Sequence, residues 1–523
     1  MCRQIDEIEK GLWGVANKLR NNMDANEFKD YILPVLFIKD LSLKCEEAEE
    51  KQRKLYEKEI AEGQLTVEEL EEALPDLVAG EIYYYIGKEY RYNVLREKAE
   101  KVLNDGSTVI SMVEELDNFI KELTKSTQCN ANSESYFKDL FQSMSLTNVK
   151  LGVSDKDRSI TLSKLIVEVD KVLSDVDKDS DVLGIAYEYL LANFASNAGK
   201  KAGEFYTPKG VSKLLAKLVS SKDRNMGKIY DPTCGSGSLL LQVAKYAQKE
   251  GKSMDNLVFY GQELNSTTYN LAKMNMLLHN VKIDSVFLEQ GDTLLNPKHI
   301  DSVKGPILFD TIVANPPYSA HWEYNKVEYP ERFISGQAPK TKADFAFIQH
   351  MIYHLEDDGM LAVVLPHGVL FRGGQEGKIR KHLIDSNLLD AVIGLPANLF
   401  YGTTIPTCIL IFKKGRENKD ILFIDASNEF EKGKNQNELT DEHIQKIEDT
   451  YNSRAEIEKY SSIVSIDEIK ENKYNLNIPR YVDTFEEEEE IDLEEVVGKI
   501  AAIDREIAAI DKELEGYLAE LGL

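Results

Sequence analysis

Apolar residues recur at helical spacing from the start of the chain. Leu12, Trp13, Ala16 and Leu19 make one set, and Tyr31, Leu33, Leu36, Phe37 and Leu41 a second. Between them, Asp24-Ala25-Asn26-Glu27 has the spacing of a capping box, with Asp replacing the usual Ser or Thr. Glu46 to Glu62 is rich in Glu and Lys and suits a solvated helix, while the Asn, Ser and Thr of 126–135 read as a loop. Residues 1–150 are therefore expected to form an N-terminal all-α domain. Near residue 227 the pattern changes. Short apolar, β-branched runs at 228–230, 257–260, 285–288, 309–314, 360–365, 391–395 and 408–412 alternate with stretches of helical length at 238–249, 267–279, 343–356 and 374–385. That alternation predicts an α/β domain over 155–480, a mostly parallel, doubly wound, Rossmann-like sheet with a helical lead-in. After the run Glu486 to Glu490 the pattern changes once more. Leu493, Val496, Ile500, Ile503, Ile507, Ile510, Leu514, Tyr517 and Leu521 alternate three- and four-residue steps, the seam of a coiled-coil-like helix over 486–523. Such a helix either packs on its own domain or pairs with another subunit, and a long seam ending the chain favours the second.

Composition alters this picture at two points. With 42% hydrophobic and 29% charged residues the chain has an ordinary core-forming make-up. It has no apolar run of membrane-spanning length and no signal-peptide layout, so a cytoplasmic protein without membrane association is expected. The cysteines (Cys2, Cys45, Cys129, Cys234, Cys408) are scattered and odd in number, which suggests neither disulfides nor zinc. The 8 histidines include no His-Glu-x-x-His, and metal catalysis is not expected. Charge carries more information. Ninety acidic against 63 basic residues leave −27, which argues against a free-standing binder of polyanionic nucleic acid. A nucleic-acid substrate would require a local basic surface or a partner subunit.

Two motifs carry chemistry. The first is Asp231-Pro232-Thr233-Cys234-Gly235-Ser236-Gly237-Ser238, between an apolar strand and a helix. Gly235 and Gly237 allow a tight turn and close approach of a ligand. Glu263, at the end of the next strand, is suited to accept both hydroxyls of a ribose. The loop has neither the third glycine of dinucleotide folds nor the Gly-Lys-Ser/Thr of a phosphate loop. It fits a ligand with adenosine and no phosphates, as S-adenosylmethionine is. Cys234 reads as a small loop residue, since no partnering base sits at recognisable spacing.

The second motif, Asn315-Pro316-Pro317-Tyr318, follows the strand at 309–314. Two prolines fix φ twice and remove two donors, so carbonyls and the Asn315 side-chain oxygen can converge. A planar exocyclic amine needs two such acceptors. Accepting both N–H groups draws the nitrogen lone pair out of conjugation and aims it at a methyl donor. Tyr318 offers a face on which an extruded base can stack. No side-chain nucleophile is needed, because positioning and electrostatics suffice.

The order of these motifs resembles the gamma class of amino-methyltransferases, and nearly the whole chain resembles the modification subunits of type I restriction–modification systems. Leu12-Trp13 through Asp40, especially 19–24, looks like that family's N-terminal helical domain. Gly203-Glu204-Phe205-Tyr206-Thr207-Pro208-Lys209 looks like its cofactor-clasping segment, and Lys473 to Tyr481 like the segment closing its catalytic domain. The resemblance implies S-adenosylmethionine-dependent methylation of adenine N6 in double-stranded DNA. It implies a cofactor lined by Glu204, Phe205, Tyr206, Thr207, Pro208, Lys209, Asp231, Thr233, Gly235, Ser236, Gly237, Ser238 and Glu263. Asp292 is expected either near the cofactor's adenine amine or as a turn-capping residue; Asp344 is expected to start and cap a helix. Asn rather than Ser at the head of the tetrad points to adenine over cytosine. The same tetrad occurs in shorter enzymes that methylate glutamine of release factors or guanine of ribosomal RNA. The family also implies partners: a specificity subunit that reads sequence, a restriction/translocase subunit, and two modification subunits per specificity subunit. The loop 319–342, with Trp322, Tyr324, Tyr329, Phe333, Lys326, Arg332, Lys340 and Lys342, is read either as closing over DNA or as a mobile surface loop.

Overall fold

The computed structural model describes residues 2–19, 23–105, 110–174, 180–197, 207–220, 224, 226–301, 303–400, 403–434, 436–484 and 493–520. The helical pattern of the N-terminal third becomes α1 (Cys2–Leu19), α2 (Ala25–Ala61), α3 (Val67–Ile82), α4 (Tyr92–Asp105), α5 (Met112–Ser126), α6 (Ala131–Phe137), α7 (Asp155–Val172) and α8 (Ser180–Asn197). The capping box forms as expected. Asp24 Oδ1 accepts the Glu27 N–H at 2.9 Å, and the Glu27 carboxylate accepts the Asp24 N–H at 3.3 Å. Both apolar sets on α1 and α2 point inward, and α7 packs on α4, α1 and α5. One expectation fails here: 126–135 is not a loop. Asn130 Oδ1 accepts the N–H groups of Asn132 (2.9 Å) and Ser133 (3.2 Å), so the polar cluster caps α6 instead of interrupting helix.

The sheet follows. Its strands are β1 (Lys228–Asp231), β2 (Val258–Glu263), β3 (Val286–Gln290), β4 (Phe309–Ala314), β5 (Leu355–Pro366), β6 (Leu389–Gly394), β7 (Thr407–Lys413), β8 (Ile421–Asp425) and β9 (Ser461–Val464), in the order β9-β8-β6-β7-β5-β4-β1-β2-β3. The sheet is parallel from β5 through β4 and β1 to β3, and β7 runs antiparallel to both β5 and β6. Strands buried on both faces read as unbroken apolar runs. In β5, Met360, Ala362 and Val364 enter one core cluster while Leu361, Val363 and Leu365 enter the other. The first cluster continues into Leu12, Leu33 and Phe37, so the N-terminal helices and one sheet face share a core.

The layers are completed by α9 (Lys209–Val219), α10 (Ser238–Lys249), α11 (Ser266–Leu278), α12 (Asp344–Tyr353), α13 (Gly368–Phe371), α14 (Gly374–Asp385), α15 (Asp441–Ser453) and α16 (Ile466–Glu471). The helix expected over 343–356 stops at Tyr353, because Leu355 is already paired with Phe309 in the sheet. Met1–Val482 forms one compact unit and Asp483–Leu523 another. Among the described residues the second unit contains one helix, α17 (Leu493–Glu520), on which Val496, Ile500, Ile503, Ile507, Ile510, Leu514 and Tyr517 are exposed. The acidic run 486–490 and Leu521 lie outside the described residues. No helix among the described residues is long and apolar enough to cross a membrane.

Candidate active site

The strand order reverses at β1. From it the chain runs outward to β2 and β3, then returns to β4 on β1's other side. In open α/β sheets the crevice at such a reversal, outside the carboxyl ends of the strands, is where ligands sit. Both motifs end there. Asp231 closes β1, with the turn before α10 following it; Glu263 closes β2; Asn315 follows β4 directly.

The turn is held by its own backbone and by Glu263. Gly235 and Gly237 adopt φ of +53° and +76°, a region costly for residues with a Cβ. The Glu263 carboxylate accepts the Gly235 N–H at 3.0 Å through one oxygen and the Asn265 N–H at 2.8 Å through the other. Each oxygen retains a lone pair for a ligand hydroxyl. Asn275 Nδ2 donates to the Ser236 carbonyl at 3.0 Å, and Thr293 Oγ1 donates to the Pro232 carbonyl at 2.5 Å. Asp231 is buried, its carboxylate accepting the Thr233 N–H at 2.9 Å. Burial pushes its pKa up to about 7, with the nearby Glu263 adding to the rise, and burial raises Glu263 as well. Burial also raises the Cys234 thiol well above its usual range, as suits a small structural residue.

In the tetrad, Asn315 Nδ2 donates to Thr207 Oγ1 at 3.0 Å. Thr207, 108 residues from Asn315, is thereby tied to the tetrad. Among the described residues, the buried Asn315 Oδ1 has no partner, and neither has the Tyr318 hydroxyl. A buried acceptor without a partner costs free energy, which a hydrogen-bond donor entering the crevice would recover. The Tyr318 ring meets Phe400 edge-on at 5.8 Å.

Thr207, Pro208, Lys209, Asp231, Thr233, Gly235–Ser238, Glu263 and Asn315–Tyr318 belong to the carboxyl edge of the central strands or the segment leading into α9; Glu204, Phe205 and Tyr206 lie outside the described residues. Asp292 caps a turn, its Oδ1 accepting the N–H groups of Leu294 (2.9 Å) and Leu295 (3.0 Å). That turn leaves its second oxygen unused. Asp344 does begin α12 but does not cap it. Its Oδ1 accepts the N–H of Ser319, the residue after the tetrad, at 2.8 Å, and its Oδ2 pairs with Arg372 at 3.2 Å. This fully buried carboxylate braces the tetrad's exit.

Part of the loop 319–342 is packed into the interior, so it is not a mobile surface loop throughout. Trp322 and Phe333 are buried with their rings 5.1 Å apart. Arg332 is interior: it donates to the carbonyls of Thr293, Leu294, Glu328 and Tyr329, and to His350 Nδ1 at 2.8 Å. His350, its pKa depressed by burial, is neutral, so its other nitrogen carries the hydrogen and donates to the Tyr230 hydroxyl at 3.0 Å. Arg332 thus ties this loop to the residues directly after Asp292. Among the described residues, no group of three His, Cys, Asp or Glu side chains is placed to hold a metal.

Comparison with known proteins bears on the same residues. A family described as N-6 DNA Methylase matches 178–490, and one described as HsdM N-terminal domain matches 8–169. The chain is 38% identical to the type I restriction enzyme MpnII methylase subunit of Mycoplasma pneumoniae, covering 94% of this chain and 92% of that protein. Identity to the MjaVIII methylase subunit of Methanocaldococcus jannaschii is 35%, over 87% of this chain and 78% of that one. Among solved structures, the type I restriction-modification system methyltransferase subunit from Streptococcus thermophilus superposes with a TM-score of 0.79 at 41% identity, covering 92% of this chain and all 100% of that one.

Proposed function

Since the chain belongs to the methylase subunits of type I restriction–modification systems and is an adenine-specific DNA methyltransferase, we propose that the crevice between β1 and β4 is where the transfer occurs, with Asn315 as its central residue. The observation that carries this is the Asn315 amide: anchored through Nδ2 to Thr207, it presents a buried Oδ1 that has no partner among the described residues. An exocyclic amine donating to that oxygen and to a tetrad carbonyl is held with its lone pair free. Tyr318 lies against an extruded base, and Asp344 keeps the turn beneath it in place.

The donor set also fits S-adenosylmethionine, which supplies the electrophilic methyl group. Glu263 would take the ribose hydroxyls, and the 235–238 turn would lie against the adenosine. Asp231 would face positive charge, and the second oxygen of Asp292 would meet the adenine amine. The clasp residues Glu204 to Lys209 would close over it, and Thr207 already links that segment to Asn315. In the same reading, the N-terminal helices and the sheet serve assembly and catalysis respectively, in line with separate family matches to 8–169 and 178–490. A specificity subunit selects the site on double-stranded DNA, a restriction/translocase subunit joins for cleavage, and two copies of this chain serve each specificity subunit. The exposed apolar seam of α17 supports pairing with a helix of the specificity subunit.

The test is transfer from labelled S-adenosylmethionine to DNA, with and without the adjacent specificity subunit, followed by identification of the labelled base. Label is expected in N6-methyladenine, only with the partner. Asn315→Ala should reduce turnover about 100-fold or more, as loss of one preorganised polar contact in a dry site does. Retention of full turnover by that variant, or transfer to protein or RNA instead, would overturn the proposal.

A further inference from the structure

A chain of net charge −27 that acts on DNA needs a place where phosphate is welcome. One groove meets that need. It lies where α13 and α14 follow the carboxyl end of β5, the strand beside β4, and the segment 472–480 forms its opposite wall. That wall is fixed in place. Arg380 donates to the Tyr474 carbonyl at 2.7 Å, the Leu476 N–H donates to the Leu370 carbonyl at 2.9 Å, and Lys381 bonds the Tyr474 hydroxyl at 2.6 Å.

Four exposed cations line it: Lys378, Lys381, Lys473 and Arg480. Lys381 is already neutralised by Asp385 at 2.6 Å. The other three are not neutralised: among the described residues Lys378 and Lys473 reach no carboxylate, and Arg480 bonds only the Asn472 amide oxygen at 3.3 Å. Glu471 is the acidic residue of the lining. On a protein this acidic, unpaired cations gathered on two facing walls are the reverse of the background. At the groove's edge Phe371 is 49% exposed, beside Gly373 and Gly374, where an added Cβ would meet nothing within 4 Å. The backbone there leaves room for a long, smooth ligand.

The groove is also wired to the tetrad. Arg372, next to Phe371, pairs with Asp344 at 3.2 Å, and Asp344 accepts the Ser319 N–H at 2.8 Å. One buried carboxylate separates the groove's edge from the residue after Tyr318.

We propose that the sugar–phosphate backbone of duplex DNA flanking the target base lies in this groove, with Lys378, Lys473 and Arg480 on its phosphates. The inference rests on the proposed function and adds where the DNA lies. The contacts are sequence-independent, as suits a chain whose site is chosen elsewhere.

The test uses the complete complex of this chain with its specificity subunit, and plasmid DNA from a host lacking methylation. Wild type is compared with the triple variant K378Q/K473Q/R480Q for methyl transfer, cofactor affinity and thermal midpoint. All three side chains are exposed, so the last two should not change. The KM for DNA should rise at least about tenfold near 150 mM salt with turnover within about twofold, and the salt dependence of binding should flatten by about 0.9 for each phosphate left without its cation. Normal wild-type transfer with unchanged KM and salt slope in the variant overturns the groove alone. Loss of the specificity subunit from the variant complex also overturns it, by making the groove a protein interface. No label in DNA even with wild type overturns the function beneath it.

Discussion

Asp231 ends β1 inside the molecule, bonded by the N–H and hydroxyl of Thr233, and burial lifts its carboxyl from 3.8 to about 7. The folded protein therefore holds a proton that the unfolded chain releases near pH 4. On this residue's account, stability falls as pH rises from about 4 to about 7. Under the proposed function, a sulfonium bound beside Asp231 would favour the ionised form, and cofactor binding would expel that proton. Affinity for S-adenosylmethionine should climb, by at most about tenfold per pH unit, up to about pH 7 and level off above it. Titration calorimetry across that range checks this, and Asp231→Asn should flatten the profile; a variant that keeps the slope would acquit Asp231. At this scale the sequence was informative where chemistry is local. Gly235, Gly237 and the Asn-Pro-Pro-Tyr tetrad announce themselves through spacing after a strand. Asp344 and Arg332 do not, because their partners are remote: Ser319 and Arg372 lie 25 and 28 positions from Asp344, and Arg332 reaches 39 positions to Thr293. An Asp at a helix start and an Arg in a polar loop look alike whether they face water or the interior.

Elements were legible where their period was strong. The helices at 238–249 and 374–385 match their expected bounds, and the central strands are apolar because both faces are covered. β8 and β9 went unread. Ile421–Asp425 and Ser461–Val464 are short, and β9 is an antiparallel edge strand whose pairing partner is distant in sequence. α6 was hidden by its polar cap. The tail helix poses the opposite case, a clear seam with its apolar residues exposed. Burying one such Ile or Leu contributes about 1.5–3 kcal/mol, so a seam of this length is ample to hold a partner helix. Removing 491–523 should abolish co-purification with the specificity subunit while cofactor binding stays intact. Undiminished co-purification would place the contact elsewhere.

Across the molecule, the N-terminal helices and the sheet share one apolar cluster that runs from Ile8 to Tyr460. Units that share a core lose it together. The chain's 2 tryptophans sit well for a test, Trp13 on α1 and Trp322 in the loop beyond the tetrad. Trp13→Phe and Trp322→Phe variants, each reporting from the remaining indole, should unfold at one midpoint, coincident with loss of helical dichroism. Two separated midpoints would mean that the helices and the sheet fold independently. The acidic balance is a property of this scale too: charge repels the polyanion everywhere except where cations are concentrated, which confines productive encounters to few orientations.

The bond from Asn315 to Thr207 has one more consequence. It fixes which end of the amide faces the crevice, and so, under the proposed function, the pocket inspects the integrity of its base. An adenine that has lost its amine to hydrolysis offers a carbonyl at the same position, and oxygen would face oxygen where the amine had donated. Such a base has no amine to methylate, and at roughly 1–3 kcal/mol for a buried acceptor left unmet the pocket would also hold it more weakly than intact adenine.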